Sequence, residues 1–163
     1  MKNEKYDMAY IQSHDIDWFC VIDDVPVHVA SAGGAIPDNL NNREKLREQQ
    51  YEVYNLPDIV SDNEIDINYP FLFQHLGIQP EDDLAVQDYL NSFLAMARKG
   101  FASYDRRDIN DLNAEEYICV CKPNNNQTIN LDIPRINSKG RLSMNLEQQM
   151  LGINIVKIVD DAE

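Results

Sequence analysis

The stretch Ile16, Asp17, Trp18, Phe19, Cys20, Val21, Ile22, followed by Asp23, Asp24 and then Val25, Pro26, Val27, His28, Val29, Ala30, decides the fold class. Side chains of a strand alternate between two faces, so Ile16, Trp18, Cys20 and Ile22 share one side while Phe19 and Val21 make the other apolar. Such a strand predicts cover on both faces. Two aspartates then supply a turn, and the alternation of Val25, Val27 and Val29 reads as the return arm of a hairpin. Pro26 has no amide hydrogen to donate, which places it at a sheet edge or near the start of its strand.

Outward from the hairpin, residues 31–37 are small and irregular, with Gly33 and Gly34 adjacent. That composition ends the hairpin. Asn41 with Glu44 has the spacing of a capping box, and a helix over 42–54 follows, with a thin apolar line of Leu46, Val53 and Tyr54; Pro57 closes it. Residues 58–79 read as a connection with aromatic plugs. A second, longer helix is expected over 83–99. Pro80 sits at its first turn, Glu81, Asp82 and Asp83 complement the positive end of its dipole, and Arg98 and Lys99 the negative end. Val86, Leu90, Phe93, Leu94 and Ala97 give it a broad face for packing on a sheet.

Further strands are expected at 101–104, 117–121 and, briefly, at Ile129, Leu131 and Ile133, with an exposed polar loop from 105 to 115. Asn145 with Gln148 can cap a short helix, and residues 153–159 are rich in β-branched side chains. The expectation is one α+β domain over 1–163, with residues 1–14 a polar leader and 160–163 an acidic tail. Its sheet is mainly antiparallel, the long helix packs on one face and the other helix is peripheral. Trp18, Phe19, Leu90, Phe93, Leu94, Val120, Ile155 and Ile158 are the expected core.

The formal net charge is −14, from 28 acidic and 14 basic residues, and that sign repels a phosphate backbone. Nucleic acid is therefore not an expected partner, whereas a basic protein is. No apolar run reaches membrane-spanning length, and the three cysteines lack a framework spacing, which points to free thiols in a reducing cytoplasm. Cys119 and Cys121, two apart on a strand, should face the same side as Tyr117 and pack as apolar residues. The three histidines, His14, His28 and His75, are far apart, and no metal-ligand spacing, phosphate loop or catalytic motif is present. Residues 105–116 have the length of a calcium loop, but Arg107, Ile109 and Asn110 stand where oxygen ligands and the turn glycine belong. No cofactor and no metal are expected.

The residues Asp15, Ile16, Asp17, Trp18 and Phe19, then His28 through Gly34 and Pro37, with Tyr104, Asp105, Tyr117, Lys122 and Pro123 further on, resemble a loosely defined family of small bacterial proteins. These open on an acidic, Trp-Phe strand and a hairpin with a small-residue turn. Some of them occur beside polymorphic toxins, and the resemblance implies an immunity-like protein that neutralises a toxin by binding it. The chain departs from that pattern at Asp23 and Asp24, which stand where a glycine is common.

The leading functional expectation is thus a non-enzymatic binding domain whose exposed carboxylates meet a basic partner such as a toxin. Asp58, Asp62, Glu64 and Asp66 form one candidate contact loop, and Asp105, Asp108 and Asp111 another. The alternative is a small hydrolase or other enzyme with a pocket at His28, Ser31, Gly33 and Gly34, with Cys20 as a further nucleophile. A third reading is a structural subunit or homo-oligomer. Strand order and oligomeric state stay open at this level.

Overall fold

The hairpin turns on two left-handed aspartates, Asp23 at φ 49° and Asp24 at φ 66°. A two-residue loop with both central φ values positive twists in the same sense as its strands, and aspartate tolerates that region better than most residues. Asp23 is also held from outside the hairpin: its carboxylate accepts from the Ser138 amide at 2.9 Å and from the Ser138 hydroxyl. These bonds take the place of a glycine. The computed structural model describes residues 4–108, 110, 115–142 and 152–162.

Strands β1 (Asp17–Ile22) and β2 (Val25–Ala30) pair antiparallel, and every residue from Trp18 to Ile22 is buried, as a strand covered on both faces requires. Four more strands complete the sheet: β3 (Ile65–Ile67), β4 (Ala102–Arg106), β5 (Tyr117–Pro123) and β6 (Arg135–Ile136), in the order β3-β5-β4-β2-β1-β6. Pairs β1–β2, β3–β5 and β4–β5 are antiparallel, while β2–β4 and β1–β6 are parallel. The sheet is therefore mixed with an antiparallel majority. The parallel β2–β4 step has a cause, since the long connection between them carries two helices over the sheet, and a crossover of that kind returns the chain in its original direction. Pro26 tolerates its interior strand because β4 begins pairing one residue later, at Val27 opposite Ala102.

One face of the sheet carries Trp18, Cys20, Ile22, Val27, Val29, Tyr104, Tyr117 and Cys119, packed against α4 (Ile155–Asp161). The other is covered by α3 (Asp83–Arg98), which buries Leu90, Phe93, Met96 and Ala97 and leaves Leu94 half-buried. Asp82 is the α3 N-cap, accepting from the Ala85 amide at 3.1 Å, so Pro80 lies in the turn ahead of the helix and not in its first turn. Helix α2 (Arg43–Tyr54) is capped by Asn42 and buries Leu46 and Val53. Asn41 has a different use: its side-chain amide closes on both backbone groups of Tyr6 at 3.0 Å, fastening the leader, which itself forms a short helix α1 (Met8–Ser13).

Four further expectations change. Residues 153–159 are β-rich in composition, yet only Ile153 pairs, with Tyr117, before α4 begins. Asn154 caps that helix, and Ile155, Val156, Ile158 and Val159 fall at helical spacing on the sheet, so burial of an amphipathic stripe outweighs β propensity. Ile129 and Ile133 are buried plugs and not strand residues. Between 58 and 79 the connection contains β3 and one π-helical turn at Phe71–His75. A bulge sets Ser103 opposite Cys121 and Tyr104 opposite Cys119, which leaves Val120 as the extra residue; Cys119 faces α4 with Tyr117 while Cys121 faces α3. The expected cap at Asn145 and Gln148 lies outside the described residues.

Candidate functional site

Residues directly opposed across neighbouring strands point to the same face of a sheet. The register therefore places Asp17, Ala30 and Asp105 in one row across β1, β2 and β4, and Phe19, His28 and Ser103 in the next. Both rows look toward the α2 and α3 side. The His28 ring is buried at 2% exposure, with Nε2 2.9 Å from Asp17 Oδ1 and Nδ1 2.6 Å from Ser103 Oγ. Nε2–H donates to the carboxylate, while Nδ1 accepts from the Ser103 hydroxyl in the neutral ring and donates to its oxygen in the protonated ring.

Each helix adds a tyrosine to this seam. Tyr54 of α2 donates its hydroxyl to Asp17, and Gln50 one turn earlier donates to the Asp17 carbonyl at 2.9 Å. Tyr89 of α3 donates to Asp105 Oδ2 at 2.6 Å, while the Arg106 amide donates to Oδ1 at 2.8 Å. Asp15, exposed just before β1, accepts from the Ala32 amide at 2.9 Å and so ties the small-residue turn to the same end of the sheet. Ser31 is buried beneath that turn, its hydroxyl accepting from the Ile16 amide at 2.7 Å. Gly33 has φ +82° and lies so close to the Gln12 carbonyl that a Cβ would stand 2.8 Å from its oxygen. Gly34 closes the turn by donating its amide to the Ser31 carbonyl at 2.7 Å.

Two carboxylates of this seam, Asp17 and Asp105, are shifted in opposite directions. Burial works to raise Asp17, but hydrogen bonding and charge from His28, with the Tyr54 hydroxyl, outweigh it and hold the group below the usual aspartate range. Asp105 is pushed up to about 6, chiefly by burial and further by Asp15, against the opposing effect of its two hydrogen bonds and of His28. Burial and their carboxylate partners push both tyrosine hydroxyls upward, so they stay donors.

A Ser–His–Asp order invites comparison with nucleophilic triads, which are recognised by geometry and not by sequence position. Here Ser103 is fully buried on a central strand and both His28 nitrogens are engaged, so the arrangement works as a polar brace through the sheet. The two larger described cavities lie elsewhere. One, of about 450 Å³, is lined by Asp23, Asp24 and Arg135 among others, and one of about 270 Å³ by Glu48, Glu52 and Asp132 among others. Among the described residues no group of three or more histidine, cysteine or carboxylate side chains could hold a metal ion, and no helix is long and apolar enough to cross a membrane.

The first expected acidic loop is largely engaged with the chain itself. Asp58 stands 3.7 Å from Lys99, Asp62 grips Arg98 at 2.7 and 3.0 Å, and Asp66 stands 3.8 Å from Lys122. Glu64 caps a short 3₁₀ turn through Ser61. In the second loop Asp105 is corrected: it belongs to β4 and is part-buried, because the strand runs two residues beyond Tyr104. Asp108 accepts from the Asn110 amide at 2.9 Å, and Asp111 lies outside the described residues. The fold nonetheless joins members of two separate expectations, Asp105 from the acidic set with His28 and Ser31 from the small-residue turn. Asp15, Asp17, Tyr54, Tyr89 and Ser103 were not among the site residues expected from the sequence, since no local spacing links positions that meet only through the fold. Comparison of the chain with protein families, curated proteins and solved structures finds no match in any of the three.

Proposed function

We propose that this chain is a non-catalytic, immunity-like binding domain that receives a basic surface of a partner protein, such as a toxin, at the acidic end of its sheet. One observation carries the reading. Asp15, Asp17 and Asp105 gather there between the Tyr54 and Tyr89 rings, and among the described residues none of the three forms an ion pair with lysine or arginine. The carboxylates of the 58–66 loop, by contrast, mostly face cations of the chain itself. Tyrosines beside carboxylates that no described lysine or arginine pairs with offer rigid contact area around a place where a lysine or arginine of a partner would be attracted. The net charge of −14 extends that attraction over the whole approach.

The test is association of the immobilised chain with a basic partner, followed by the salt dependence of its rate. Between low and physiological salt the association rate should fall about tenfold or more, and Asp15→Asn with Asp17→Asn should reduce it further. A confirmed partner whose association ignores both salt and these substitutions would sink the proposal. The expected cytoplasmic location belongs to the same reading and rests on the cysteine composition.

A further inference from the structure

Two tyrosine–carboxylate contacts fasten the two covering helices to the sheet, but they are electrostatically unlike. At the α2 contact Asp17 has His28 as a polar partner at 2.9 Å. At the α3 contact Asp105 has no such partner. From α3 it meets the Tyr89 hydroxyl, and from its own strand the Arg106 amide; the Arg106 guanidinium is turned to the Ala32 carbonyl at 2.9 Å. From the segment before β1 it feels the like charge of Asp15, from β2 the imidazole of His28, and from β5 the Tyr117 hydroxyl. Asp17 and Tyr54 complete the group on the β1 and α2 side. A carboxylate placed between a helix and a strand, beside a second carboxylate and with no ion-paired cation among the described residues, gives up its proton less readily than an ordinary aspartate.

We propose that the Tyr89–Asp105 contact is a proton-controlled latch: α3 is docked most firmly when Asp105 carries a proton, and its N-terminal half loosens when that proton leaves. The neutral carboxyl avoids the cost of a desolvated charge facing Asp15, a cost that outweighs the strengthening its two hydrogen bonds gain on ionisation. Ionisation restores that cost, and the structure relieves it by letting water reach the carboxylate between α3 and β4. The sign follows from linkage. The folded value is raised, from the ordinary 3.8 to about 6, so the stability contributed by Asp105 is fully present below the ordinary value. It is lost as pH rises through about 6. The free chain suffices for the test, so the outcome does not depend on any partner.

The experiment compares urea unfolding and amide exchange of α3, corrected for intrinsic exchange, at about pH 5 and about pH 7.5 in wild type, Asp105→Asn and Tyr89→Phe. Wild type should lose about tenfold more of its folding constant across this interval than Asp105→Asn, which mimics the latched form at every pH. The wild-type excess in exchange should concentrate in the first half of α3. Tyr89→Phe should loosen α3 at both pH values while retaining a titrating carboxyl. Carboxyl-carbon NMR of the wild-type chain provides a readout free of substitution: a midpoint for Asp105 near 6 supports the latch, and one near the ordinary aspartate value overturns it. Parallel pH profiles for wild type and Asp105→Asn overturn it as well.

Discussion

His28 is the residue on which most of the polar interior depends. Its two nitrogens satisfy groups on β1 and β4, and Asp17 in turn accepts from α2, so one imidazole joins three strands and a helix. Removing one member of such a brace strands the others, and an orphaned buried acceptor costs more than the bond contributed. His28→Ala should lower the unfolding free energy by about 2 to 4 kcal/mol in urea titrations at neutral pH. The variant should also lose part of the wild-type fall in stability in acid. Asp17 is depressed when folded, so its contribution is present above the usual aspartate value and disappears as pH falls through the folded one, and His28 is a principal source of that depression. A loss of under about 0.5 kcal/mol would show that the brace is incidental. Little of this was readable in the chain, where Asp17, His28 and Ser103 are 11 and 75 residues apart. The same holds for Cys119 and Cys121: alternation predicts one face for both, and a single extra residue at Val120 sends them to opposite faces.

At the scale of elements, helices with local signals were legible. Capping carboxylates, a basic last turn and apolar spacing located α3 within a residue at either end, because each of these acts within one or two turns. Its seating is anchored by Phe93, buried at 6% and tilted against Tyr89 at 5.2 Å between centroids. Phe93→Ala should cost about 3 to 5 kcal/mol, read as a lower melting midpoint and an earlier urea transition. An unchanged midpoint would mean that α3 does not depend on this contact. Elements without local signals were misread. The segment that forms α4 is made of β-branched residues, and what turns it into a helix is a sheet face already supplied by Trp18, Tyr104 and Tyr117, which a stripe at helical spacing covers.

Across the whole molecule the dominant fact is charge. With 28 acidic and 14 basic residues, self-repulsion opposes the compact state, and the described ion pairs are mostly exposed and individually weak. Added salt screens repulsion over distances longer than a single pair, so the melting midpoint should rise by about 2 to 5 °C between low and physiological ionic strength. A midpoint that falls with salt would show that the surface pairs outweigh the net repulsion.

Composition and short-range pattern were enough for the α+β class, the hairpin, two helices and most of the core, because hydrophobic periodicity, caps and turn residues act over a few residues. The parallel return of β4 beside β2, the bulge in β5 and the gathering of Asp15, Asp17, Asp105, Tyr54 and Tyr89 arose only on folding. Register and crossover set those neighbours, and the free energy that selects them comes from burying whole faces against one another, a quantity that no short window of sequence contains.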